Sequence, residues 1–214
     1  MEVKKHSPRS NNSFTSLIET SLKLWIKTKC NSIKDLSLEI NTSPSNLLKG
    51  HVSQVNLEAS KVDFKGIIID KINICAEGIK LKLLLYKLTP KVSLSKEFHI
   101  DFEILLSKDG INKIISSEKW SWIRSWFKKE FSLNYHFKIL GIRNNLLILQ
   151  TLNSIEDITI EKNLSIKVIN GTLEISDIAS KKTSLFPMDE SINIKEATTD
   201  DNSIRVKCSS KVTP

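Results

Sequence analysis

Residues His99 to Phe131, HIDFEILLSKDGINKIISSEKWSWIRSWFKKEF, hold a strand, two helix starts and three of the chain's four tryptophans. Ile100, Phe102, Ile104 and Leu106 alternate with Asp101, Glu103 and Leu105, the period of two of a strand with one buried and one wetter face. Ser107 then stands as N-cap of a short helix on which Ile111, Ile114 and Ile115 share a face. Ser117 opens a second helix. At about 100° per residue, Trp120, Trp122, Ile123, Trp126, Phe127 and Phe131 sweep roughly half of its circumference, and Ser121, Arg124, Ser125, Lys128 and Lys129 fill the rest.

An ordinary surface helix needs an apolar stripe of only about 100°. Two arrangements satisfy the wider arc. Either the aromatic rings close one end of a protein core, or they lie in a lipid interface, with Arg124, Lys128 and Lys129 reaching anionic headgroups. On the second reading Trp120, Trp122, Trp126 and Phe127 are the membrane-contacting side chains.

Working outward from this stretch, the N-terminal side supplies a helix and a long run of strands. Phe14, Leu17, Ile18, Ser21, Leu22, Trp25 and Ile26 recur at helical spacing, which predicts an amphipathic helix packed on a sheet, with Trp25 in the core. Residues 1–12 are too polar to offset the entropy of ordering and are predicted to be a disordered tail; residues 13–214 are predicted to form a single domain. Leu36, Leu38 and Ile40 mark a strand, and TSPSNLLKG has the punctuation of a one-turn helix, with Ser43 as N-cap, Pro44 at the first helical position and Gly50 past the end.

From Val52 to Leu85 the chain is almost continuously strand-like, but its alternation changes phase. Val55, Leu57 and Ala59 give way to Ile67 and Ile69, then to Ile72, Ile74 and Ala76, then to Ile79, Leu81 and Leu83. Each change of parity turns the apolar set over and needs a turn or a bulge, for which Gly66, Asp70-Lys71 and Gly78 are the candidates. The implied sheet is antiparallel and strongly curled.

Leu88–Lys96 reads as a connection through Pro90, and beyond the tryptophan helix strand character resumes from Tyr135 to Leu140 and from Leu146 to Leu152. Asn170-Gly171 between Leu164-Ile166-Val168 and Leu173-Ile175 is a strong hairpin signal. Phe186-Pro187 and Asp200-Asp201-Asn202 mark loops, and Ile204, Val206 and Cys208 a last strand. The fold class is α+β: a curved antiparallel sheet on an amphipathic N-terminal helix, plus a helical pair.

Composition narrows the partners. The 214 residues carry 32 Lys and Arg against 24 Asp and Glu, a net charge of +8, which favours anionic partners. Three isolated cysteines, Cys30, Cys75 and Cys208, make neither a disulfide framework nor a zinc site. No stretch of 18 apolar residues occurs and MEVKKHSPRSNNS lacks an apolar export segment, so the expected location is the cytoplasm, at most peripheral to a membrane. No nucleotide, metal or nucleophile motif appears. His6, His51, His99 and His136 are scattered, and Asp101 and Glu103 occupy positions where a solvated strand face needs polar residues. No catalytic residue, metal ligand or cofactor is predicted. Nucleic acid is disfavoured, because the aromatics cluster on one helix beside apolar residues rather than interleaving with basic ones on a sheet.

Taken in order, the N-terminal helix, NTSPSNLLKGHVSQVNLEA, FKGIIIDKINICAEGIKL and FEILLSKDGINKIISS resemble the LmeA-like phospholipid-binding family, in the form known from cyanobacteria as a domain of unknown function. The resemblance implies half of a tubular lipid-binding domain, a curved sheet wrapped on a helix with acyl chains in an apolar interior, and no catalytic positions. The lipid-facing side chains would then include Ile72, Ile74, Leu81 and Phe102. The expected function is non-catalytic binding, or transfer, of phospholipid at the cytoplasmic face of a membrane. The alternative is an intracellular interaction or scaffold protein with a self-filled core, whose tryptophan helix meets a protein partner.

Overall fold

A turn of two residues, Lys65-Gly66, sets the first hairpin. Both have positive φ, 53° and 86°, the mirror-image turn whose twist suits antiparallel strands, and the Asp63 carboxylate accepts the Gly66 N–H at 2.8 Å. In the computed structural model, which describes residues 13–84, 91–133, 137–153 and 158–214, this hairpin joins the two longest strands of the larger of two sheets. The predicted tail at 1–12, Pro90 and Tyr135 lie outside the described residues.

Helix α1 (Ser13–Lys29) leads into β1 (Ser32–Asn41), then α2 (Pro44–Leu48), β2 (His51–Phe64), β3 (Ile67–Leu84), β4 (Lys91–Leu94) and β5 (Phe98–Ser107). Helix α3 (Lys108–Ser116), a 3-10 turn (Glu118–Trp120) and α4 (Ser121–Phe131) follow. A run of hairpins comprises β6 (Phe137–Arg143), β7 (Leu146–Asn153), β8 (Ile158–Ile169), β9 (Thr172–Asp177) and β10 (Thr183–Leu185), and the chain closes with β11 (Ile192–Asp200) and β12 (Ser203–Val212). The caps are those that the sequence predicts: Ser43 Oγ accepts the Asn46 N–H and Ser107 Oγ the Gly110 N–H, each at 3.2 Å.

The fold is α+β, but its strands form two antiparallel sheets rather than one. The first has the order β1-β2-β3-β5-β12-β11, with β4 on the far end of β3; the second has the order β10-β9-β8-β7-β6. Local turns explain the split. Asn144-Asn145 (φ 52° and 58°) and Asn170-Gly171 (φ 49° and 78°) close β6–β7 and β8–β9 as tight hairpins, so these strands pair with one another. The connection predicted around Pro90 contains β4, and the sequence reading has no strand at β10 or β11.

Strands β2 and β3 carry two of the phase changes, and carry them together. Ala59, Val62 and Ile69 are buried in one cluster with Ile72 packed against it, so the parity inverts on both strands. The inversion falls between the pairs Ser60/Lys71 and Val62/Ile69, where Lys61 has φ 48° and its ammonium bonds Asp70 at 2.6 Å. Register survives because both strands turn over at the same point. Gly78 (φ 64°) marks the next inversion, and the Lys65-Gly66 turn closes the hairpin itself.

Two main cores result. Ile18, Leu22 and Ile26 of α1 pack against Leu38, Ile40, Leu47 and Val52, and the Glu19 carboxylate accepts the Ile40 N–H at 2.8 Å. The larger core lies between the second sheet, α3, α4 and the β5-β12-β11 end of the first sheet. Trp25 belongs to neither. Predicted as a core residue, it is 58% exposed: the Ile18, Leu22, Ile26 stripe meets the sheet, and Trp25 lies on its flank, about a sixth of a turn from the stripe's centre.

Candidate lipid-binding site

Paired residues form rows across the apolar face of the first sheet. One row reads Leu38, Leu57, Ile74, Phe102, Cys208 and Ile194 from β1 to β11. Leu38, Cys208 and Ile194 at its ends are buried, whereas Leu57, Ile74 and Phe102 at its middle are half-buried. Leu57 packs with the residues under α1 and Phe102 with the core between the sheets. Among the described residues, Ile74 packs into none of the buried clusters. The next row, Val55, Ala76 and Ile100, is apolar too, with the small Ala76 buried at its centre between half-buried Val55 and Ile100. The result is an apolar strip between α1 and the second sheet.

The strip offers no ionic group. Cys208, at its floor, has a thiol whose pKa burial pushes up to about 11, so it stays protonated. Of the four predicted lipid-facing residues, Ile74 and Phe102 are direct cross-strand partners at the strip's centre. Ile72 borders it, packed on the Ala59–Val62–Ile69 cluster, and Leu81 lies away from it in the core under α1. Leu57, Val55 and Ile100 complete the strip and are absent from the prediction; their alternation is legible, but sharing a row depends on register.

The opposite face of the same sheet is ionic. Glu103 accepts from Arg205 at 2.6 Å, Glu196 from Lys207 at 2.7 Å, and Lys195 bonds Asp101. A cavity of about 420 Å³ touches Asn56, Glu58, Asn73, Asp101, Glu103, Lys195 and Lys207 of this face, and its lining also includes Leu57, Ile74, Cys75, Phe102 and Cys208. Asn73 Oδ1 is buried there without a partner. Seating an acyl chain among these groups would strip water from paired charges, a cost exceeding what methylenes return.

The tryptophan helix packs into the chain's own larger core. Phe127 is 4% exposed, and Ile123 and Phe131 are buried beside it. Trp126 packs edge-on to Phe127, Phe131 and Phe186 at 4.9, 5.5 and 5.2 Å between ring centroids. Trp120 donates its indole N–H to the Lys65 carbonyl at 3.3 Å, clamping the β2–β3 turn. Arg124 donates to the Ile115 carbonyl and ties α4 to α3. Trp122 leans on Phe186 at 5.6 Å and is 39% exposed, and Lys129 sits 3.8 Å from Glu130. Of the predicted membrane-contact set, Phe127 is therefore inside the core and Arg124 is a strut. Phe186 covers part of the aromatic arc, through Trp122 and Trp126, that the sheet leaves open.

Among the described residues no three His, Cys, Asp or Glu side chains converge on a metal position, and no helix is long and apolar enough to cross a membrane. No curated protein and no solved structure matches the chain. The LmeA-like phospholipid-binding family matches it over residues 13–208. With nearly the whole chain covered, the protein belongs to the LmeA-like phospholipid-binding family.

Proposed function

We propose that the protein is a non-catalytic phospholipid carrier, holding acyl chain along the Leu57–Ile74–Phe102 strip at the cytoplasmic face of a membrane, and passing it between membranes. What carries the reading is the burial profile of that row: deep at both ends and shallow at Ile74, on a face without charge. Each methylene removed from water contributes about 0.8 kcal/mol, so roughly eight seated methylenes contribute about 6 kcal/mol before the cost of ordering the chain.

Native mass spectrometry of protein purified from a lipid-containing host, followed by organic extraction, tests this. Bound phospholipid in the wild type and its loss in a folded Ile74→Asp variant are the expected results. An empty wild-type protein would favour the rival class, an interaction protein whose apolar strip meets another chain.

A further inference from the structure

On α1, the side turned away from the sheet carries exposed large apolar side chains. Ile18, Leu22 and Ile26 face the core, and at about 100° per residue Leu17 and Leu24 fall on the opposite side, 63% and 61% exposed. Trp25 flanks them. The other outward residues, Thr20, Ser21 and Thr28, donate their hydroxyls back to the Ser16, Leu17 and Trp25 carbonyls at 2.9, 2.9 and 2.7 Å. Their polarity is thus satisfied within the helix, and a hydrogen-bonded hydroxyl is far cheaper to take out of water than a free one. Lys27 shares this side and Lys23 borders it, while the Lys29 ammonium sits 5.5 Å from the centre of the Trp25 ring. Glu19, the one acid of α1, is turned inward to the Ile40 N–H.

We infer that this outward face of α1 is the surface by which the protein seats on an anionic phospholipid bilayer. Leu17 and Leu24 enter the acyl boundary, Trp25 lies at headgroup level, and the three lysines meet the lipid phosphates. A second copy of the chain fits less well: it would bring Lys27 of each helix together, and the net charge of +8 opposes self-association. The inference rests on the phospholipid reading. It places the docking surface near the apolar strip, since α1 and Leu57, the strip's edge, pack against the same buried cluster. The tryptophan helix contributes little to docking, its arc being packed into the larger core and partly covered by Phe186.

The test is co-flotation of the full-length protein with phosphatidylcholine vesicles containing or lacking phosphatidylglycerol. The comparison set is wild type, Leu17→Ser/Leu24→Ser, Trp25→Ser and Trp122→Ser. These side chains are exposed, so circular dichroism should be unchanged. Expected are binding that depends on phosphatidylglycerol and weakens with salt, about tenfold weaker partition for each α1 variant, and near-wild-type partition for Trp122→Ser. Brominated lipid should quench the wild type, and the quenched component should vanish in Trp25→Ser. Equal flotation of wild type and α1 variants would overturn the inference, as would loss only in Trp122→Ser or a wild-type dimer that Leu17→Ser/Leu24→Ser dissociates. Lipid carried by the α1 variants, read by native mass spectrometry, separates failed docking from failure of the phospholipid reading.

Discussion

Replacing Phe127 by alanine removes the ring at the centre of the aromatic cluster, whose neighbours Trp126, Phe131 and Phe137 lie 4.9, 6.0 and 5.3 Å away between centroids. Those neighbours belong to α4 and to β6 of the second sheet, so they are poorly able to collapse into the space. A buried Phe→Ala change of this kind costs about 3–5 kcal/mol. Ile74 is half-buried on the strip, and Ile74→Ala should cost less than half of the fully buried range, about 1–2 kcal/mol. With a urea slope of about 2 kcal/mol per molar, the midpoint should fall by about 1.5–2.5 M for Phe127→Ala and by about 0.5–1 M for Ile74→Ala. Equilibrium urea unfolding followed by tryptophan fluorescence reads both. A Phe127→Ala protein as stable as Ile74→Ala would mean that α4 does not dock on the second sheet, and its aromatic arc would again be free for another surface.

Gly50 has φ 75° and an added Cβ would lie 2.1 Å from the Leu81 carbonyl oxygen, whereas Gly78 (φ 64°) has nothing within 4 Å. Gly50→Ala should therefore be the more damaging in thermal melts, since Gly78→Ala carries only the left-handed backbone penalty of about 1–2 kcal/mol. For Asp177, burial raises the carboxyl pKa, but the Ser180 hydroxyl, the Ala179 N–H and Lys162 outweigh it and leave the value below 3.8. A depressed carboxyl stabilises the fold above its unfolded pKa and loses that contribution as pH falls through the folded value. Stability measured from neutral pH downward should thus hold until about pH 4 and then decline, less steeply in Asp177→Asn. The Cys208 thiol, raised to about 11 by burial, should resist a disulfide reagent at pH 8 in the folded protein and react only in denaturant; rapid labelling of native Cys208 would contradict its place in the core.

Local chemistry made much of the fold legible. Ser43, Pro44 and Ser107 act through their immediate neighbours, and Asn170-Gly171 through its own backbone, so each element is where the sequence puts it. The phase changes of β3 at Asp70-Lys71 and Gly78 were equally readable because parity is a property of one strand, whereas the matching inversion of β2 at Lys61 shows only in its pairing with β3. What escaped depends on distant pairing. Ile194 and Cys208 meet Phe102 only through the β11-β12-β5 register, so neither β11 nor the second sheet was separable from a single curled one. The aromatic arc of α4 is an ambiguous signal until Phe186, some sixty residues further on, is seen to cover part of it. Trp25 shows the converse: helical spacing identified the amphipathic helix, but the width of sheet beneath it decides which flank is buried.

A phosphatidylglycerol with a photoactivatable group in its acyl chain addresses the central claim most directly. Loaded into the full-length protein, irradiated and mapped by peptide mass spectrometry, it should form adducts on β2, β3 and β5 at Leu57, Ile74 and Phe102. Adducts confined to the ionic face around Asn73, Glu103 and Lys207, or no adduct at saturating lipid, would contradict an acyl seat on the apolar strip.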